Sequence, residues 1–292
     1  MADEFIKFDK KTPFGNPPGR CIYCGSDGQP EGLSDEHIIA FSLGANVYMP
    51  NASCAGCAKI TSYLEGYAAR AIYGPFRIFF GVQSRRKKID LGDVPVVFTT
   101  ERGKETRQIP RVQLPPLFSV PLLSPAGIFE HKEPEPIIPA TGWIWFASDP
   151  KEYMKRFRQE GDRTWEFRGN INTIVFARVL AKISHTITTA LVGVDGFEPL
   201  LPPLILGKTD KAAYLIGCAD APTPAERPPS GPSMVHHDIA VSAMAENGQR
   251  PLLVTKIRLF SFTGAPSYYV VAGIPKRPAL ERLGVDGELQ VL

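Results

Sequence analysis

The chain has 292 residues, 43% hydrophobic and 22% charged, a balance that excludes a disordered or fibrous protein and leaves room for one large domain or two ordinary ones. The net charge of +3 is a weak pointer to a polyanionic partner, and it is uneven: residues 1–80 hold 7 Lys/Arg against 8 Asp/Glu, a balance of −1, which leaves +4 for the rest. No segment reads as the roughly 20 apolar residues of a membrane span, and MADEFIKFDKK at the start lacks an apolar signal core, so the expectation is a cytoplasmic protein.

In chain order, residues 1–18 read as an irregular lead-in. A helix is expected from Ala55 to Tyr73, because Ile60, Leu64, Tyr67, Ala68, Ala71 and Ile72 recur at helical spacing. Ser53 is the expected cap and Gly74-Pro75 the expected stop. The basic run at 83–88 suggests a boundary. Residues 94–100 and 106–114 flank ERGKE as a hairpin. Residues 115–140 are proline-rich and read as a loop, and 141–147 as a strand. Asp149, Pro150 and Glu152 have the positions of an N-cap, N1 and N3 of a helix. Residues 171–192 form a long apolar helix, the expected core of the second part. Residues 221–233 read as a proline-rich excursion. Residues 238–245 and 251–262, turning at Asn247-Gly248, read as a hairpin, with 266–274 as a further antiparallel strand.

The chemistry concentrates near the N-terminus. Cys21 and Cys24 form one Cys-x-x-Cys pair and Cys54 and Cys57 another, with 29 residues between Cys24 and Cys54. In a reducing compartment such pairs suit a tetrahedral thiolate zinc site, closed and therefore structural. Cys218 stands apart and reads as a small buried hydrophobe. Between the pairs lies SDEHIIA, residues 34–40. A carboxylate there suits Mg²⁺ or Mn²⁺, and a histidine suits a general base that activates water. The plain alternative is a structural His37 beside solvated Asp35 and Glu36.

The order Cys21-x-x-Cys24, Glu36-His37-Ile38-Ile39, SLGAN at 42–46, PNASC at 50–54 and Cys57 resembles the zinc-bound branch of the HNH (ββα-metal) endonucleases, over roughly residues 19–75. The resemblance implies a zinc-stabilised ββα-metal module that cleaves DNA, or RNA, with a divalent cation. It implies Glu36 as the ligand of Mg²⁺ or Mn²⁺ and His37 as the base. An asparagine would orient His37; Asn46 and Asn51 are both candidates, with Asn51 favoured for its place beside the second knuckle. The family's next residue after the fourth cysteine is usually Asn or His and completes the metal site, but here it is Ala58. Either Thr61, Ser62 or Glu65 replaces it, or the metal is weakly held, or activity is lost. Nicking one strand, as HNH modules often do, would require a homodimer for double-strand cutting.

The fold class expected is α+β: a zinc-bound module over 1–82 and an antiparallel α+β domain over 83–292 that serves specificity, dimerisation or regulation. Arg178, Lys182 and His185 form a polar line on the 171–192 helix, read either as core or as a face for DNA or a partner. His236-His237 reads as a loop or edge pair. The runs 84–88 and 155–158, near Tyr153, Phe157 and Trp165, are candidate phosphate contacts. A non-cleaving nucleic-acid-binding module and a protein-interaction adaptor are the competing functions.

Overall fold

A computed structural model describes residues 11–80, 82, 92–114, 117–132, 134, 140–146, 150–167, 171–218, 237–245, 250–284 and 290–291. The run 84–88, the stretch 221–233, Asp149, His236 and the turn at Asn247-Gly248 lie outside them.

The fold is α+β. Strands β1 (Thr12–Pro13), β2 (Leu33–His37) and β3 (Val47–Cys54) form a small sheet in the order β1-β3-β2, and β3 runs straight into helix α1 (Ala55–Tyr67). The β2–β3 pair is antiparallel, with Glu36 opposite Met49 and His37 opposite Tyr48. Helix α1 starts with Cys54 as its N-cap rather than Ser53, whose side chain is fully buried at the end of β3. The expected helix to Tyr73 loosens into a π turn over Ala68–Ile72. Gly74-Pro75 does not end the helical path: α2 (Gly74–Phe79) begins there, since proline is tolerated in a first helical turn.

Strands β4 (Asp93–Thr100) and β5 (Gly103–Pro110) form the expected hairpin. The proline-rich stretch is not all loop: β6 (Leu117–Leu123) pairs along its length with β7 (Ala140–Phe146). The short helix α3 (Pro150–Met154) precedes β8 (Asp162–Phe167), which pairs with β4. Arg107 on β5 grips Asp162 with two N–H···O bonds of 2.7 and 2.9 Å while lying over the Phe98 ring at 4.3 Å, so one guanidinium ties this sheet together.

Helix α4 (Thr173–Val192) is capped by Asn172, whose Oδ1 accepts from the Val175 N–H at 3.2 Å. After it come β9 (Phe197–Pro199), α5 (Pro202–Ile205), α6 (Ala212–Leu215), β10 (Ile216–Cys218), β11 (His237–Ala245), β12 (Leu252–Leu259), β13 (Tyr268–Pro275), α7 (Arg277–Arg282) and β14 (Gln290–Val291). The main sheet runs β10-β13-β12-β11-β14, with β9 on β13. Gly217 lets β10 pass close to the chain before it, where a Cβ would come 2.3 Å from the Ala126 nitrogen.

By length and composition α4 would cross a bilayer, contrary to the sequence expectation, yet 72% of its most apolar window is buried within the chain. Its apolar character serves a core. One face meets the main sheet, where the Ser184 hydroxyl donates to Thr255 at 2.8 Å and Phe176 meets Tyr268 edge-on at 5.2 Å. Another meets α1. One buried cluster accordingly holds Cys21, Leu64 and Phe76 together with Phe118, Phe176 and Val270. A separate small cluster of Val94, Val96, Phe98, Ile109, Leu114 and Met154 sits under the β5-β4-β8 sheet.

Four fully buried rings join the N-terminal helices to β6 and the end of β12: Tyr73, Phe76, Phe118 and Phe260, with centroids 4.6 to 5.4 Å apart. Phe260→Ala removes a ring that touches each of the other three. The expected loss is about 3–5 kcal/mol of unfolding free energy, read from the urea midpoint.

Candidate functional site

The first knuckle forms because the Gly25 N–H returns to the Cys21 carbonyl at 2.9 Å, with Gly25 in the left-handed region at φ 77°. The Ile22 N–H then donates to the Ala52 carbonyl at 2.9 Å and pins the knuckle to β3. The second knuckle is the start of α1, where helix N–H groups favour negative sulfur. The four sulfurs of Cys21, Cys24, Cys54 and Cys57 lie within 4.8 Å of one another. Cys24 and Cys54 are 3.7 Å apart, against about 3.8 Å expected between two thiolates on one tetrahedral zinc. Burial first, and then Cys21, push the Cys57 thiol far up, a penalty that a bound dication removes. The four cysteines therefore have the composition and spacing of a zinc site.

Glu36 and His37 sit at the end of β2, and alternation along the strand separates them. Glu36 is 4% exposed and faces α1 and α4; it is not a solvated acid. Its Oε1 lies 3.0 Å from Lys182 Nζ, and its Oε2 accepts from the Thr61 hydroxyl at 3.3 Å. Lys182 Nζ also meets Glu65 Oε1 at 2.6 Å and donates to the His37 carbonyl. An ammonium has three N–H donors, and here each has an oxygen. Burial raises the Glu36 carboxyl, and Lys182 pulls it back only in part. Burial opposes the Lys182 charge, but Glu65 and Glu36 outweigh it and hold the ammonium above its ordinary value.

Of the three residues considered as substitutes for a ligand at Ala58, Thr61 and Glu65 turn inward on one face of α1, a turn apart, and Ser62 is exposed. His37 lies half-buried across from Tyr48. Asn51 sits beside the irregular step in β2–β3 pairing, in the left-handed region at φ 48°, and its N–H donates to Asp35 Oδ1 at 3.2 Å. It is three residues from Tyr48, about 10 Å along the strand. Asn46 is two residues from Tyr48 on the other side and is nearer His37 by register. Asp35 is paired with Lys11.

One residue that sequence reasoning passed over completes the cluster. Tyr23, inside the first knuckle, puts its hydroxyl 3.1 Å from Thr186 and within reach of Glu36. Lys182 and His185, on the polar line read either as core or as a face for DNA or a partner, are 1% and 2% exposed and belong to the core. The available signal was the flank of Lys182: Val179, Leu180, Ala181 and Ile183 leave its position no solvent face. His185 Nε2–H donates to the Ile22 carbonyl at 2.7 Å, and burial lowers its pKa to about 4. His237 is likewise structural, its ring bridging the Leu43 carbonyl at 3.0 Å and the Phe260 N–H at 3.2 Å. In the run 155–158, Lys155 pairs with Glu152 and Arg158 donates to the Asp162 carbonyl.

Family models, curated proteins and solved structures contain no match to this chain.

Two measurements test this geometry. Purified protein should carry about one zinc per chain by elemental analysis, and Cys57→Ser should lose it together with cooperative unfolding, because a structural zinc site contributes folding energy directly. His185 should make the fold acid-sensitive. Its folded pKa of about 4 lies below the unfolded value of about 6.5, so below pH 6.5 the unfolded chain takes a proton that the folded chain refuses. Stability is lost as pH falls, by about 2 kcal/mol between pH 7 and 5 from this residue. Urea titrations at the two pH values, with zinc content checked at each, should show a smaller drop for His185→Leu.

Proposed function

We propose that this chain is a zinc-stabilised ββα protein of the HNH endonuclease type that acts on DNA phosphodiester bonds. One observation carries the reading: an antiparallel hairpin runs directly into a helix, four cysteines gather at its base, and Glu36-His37 ends the first strand. In this reading His37 takes a proton from water as the oxygen–phosphorus bond forms. The bond to the leaving oxygen breaks, and that oxygen is protonated from solvent.

The family's divalent cation does not fit the site as it stands. Ala58 offers no ligand atom, and the Glu36 carboxylate is already engaged by Lys182 and Thr61. No step is therefore assigned to a metal. The same engagement favours a second reading, a nucleic-acid-binding module that does not cleave.

Supercoiled-plasmid nicking by wild type and His37→Ala, both confirmed folded and zinc-loaded, separates the two. Hydrolysis by wild type, reduced about 100-fold or more in the variant, is the expected outcome. Salt-sensitive DNA binding without product from either protein decides for the binding module, and no binding at all decides for an interaction role.

A further inference from the structure

Lys182 Nζ is held by three oxygens from three directions: Glu36 Oε1 at 3.0 Å from β2, Glu65 Oε1 at 2.6 Å from α1, and the His37 carbonyl. Two carboxylates and a carbonyl are a donor set for a hard cation. The side chains of Lys182 and Glu36 are 2% and 5% exposed, so this is a built interior position and not an acidic surface patch. A cavity of about 10 Å³ adjoins it, lined by Leu43, Leu64, Glu65, Val179 and Ile183 with Lys182, at the lower limit of the space that admits one water. The lysine comes from α4, outside the ββα unit, and reaches into it between the strand and the helix.

We propose that Lys182 is the resident cation of the ββα unit: its ammonium fills the position among Glu36, Glu65 and the His37 carbonyl that a divalent ion would take, and so keeps Mg²⁺ and Mn²⁺ out of the wild-type chain. The inference rests on the ββα reading for the role of Glu36 as a cation ligand, but not on any cleavage. The ammonium supplies one positive charge against the two carboxylates where a divalent ion would supply two, so it holds the cradle without a metal but leaves one negative charge, on the side where Glu65 is 23% exposed. A divalent ion can enter only if the lysine leaves, and a position occupied by lysine more than nine-tenths of the time weakens metal binding by about tenfold or more.

Mn²⁺ titration followed by electron paramagnetic resonance tests this on the zinc-loaded full chain. Wild type should bind no Mn²⁺ that Glu36→Gln removes. Lys182→Ala, with its zinc and circular dichroism intact, should bind one Mn²⁺ at least about tenfold more tightly than wild type, and Lys182→Ala/Glu36→Gln should lose it. Wild-type binding of Mn²⁺ that Glu36→Gln abolishes would overturn the proposal. So would a folded Lys182→Ala that binds no better than wild type. If Lys182→Ala fails to fold in metal-free buffer, refolding is the readout: recovery of the native spectrum with Mn²⁺, but not with K⁺ at equal ionic strength, supports the proposal, and failure to recover rejects it. Because binding is read without cleavage, a protein inactive in the nicking assay can still pass this test, and an active one can still fail it.

Discussion

A lysine ammonium buried with almost no exposure has to be neutralised where it lies, since an uncompensated charge in a protein interior costs several kcal/mol. Lys182 meets this requirement with groups from β2 and α1 while its own stem belongs to α4. The three elements are therefore constrained to one relative position. If β2 shifted by one residue, Glu36 would turn outward and leave the lysine with Glu65 alone. Hydrophobic contacts between α1 and α4 tolerate small slides, but a three-oxygen cradle does not.

The cysteine cluster acts at the other end of the same hairpin. It brings together sulfurs separated by 29 residues, and a metal bound there holds that loop closed in the folded chain, where the four sulfurs are assembled. Tyr23 and the Ile22 carbonyl carry the effect inward. Tyr23 reaches Thr186 and Glu36, and Ile22 accepts from His185. The cysteine knuckle and the ion cluster are thus joined by a polar seam along α4, and removal of a metal bound to the four cysteines should be felt at Glu36.

The seam also bears on chemistry. A carboxylate that neutralises a lysine is a poor ligand for a metal arriving from solvent, whereas strand alternation turns the His37 side chain to the opposite face. Separation of Glu36 from His37 by strand alternation means that a structural role for the first and a catalytic role for the second are compatible. The β5-β4-β8 sheet, with its own small core and the Arg107–Asp162 grip, packs separately from this arrangement among the described residues.

Much of this was legible in the residues themselves. Cys-x-x-Cys pairs carry metal chemistry in their spacing, and the apolar patterns of residues 55–73, 171–192 and 251–262 mark elements that bury one face or all faces. Local patterns of this kind depend on nearest neighbours along the chain, and a sequence displays them directly. The strand at 117–123 escaped because its burial does not alternate and the surrounding prolines read as loop. The partner of Glu36 escaped for a different reason. Lys182 is 146 residues away, and only packing of α4 against α1 brings its ammonium to the carboxylate. Sequence by itself determined the four-cysteine cluster, the α+β class and the Glu36-His37 step. Tertiary structure alone decided that Glu36 faces a lysine and not solvent, because burial and pairing of charge are set by which surfaces meet.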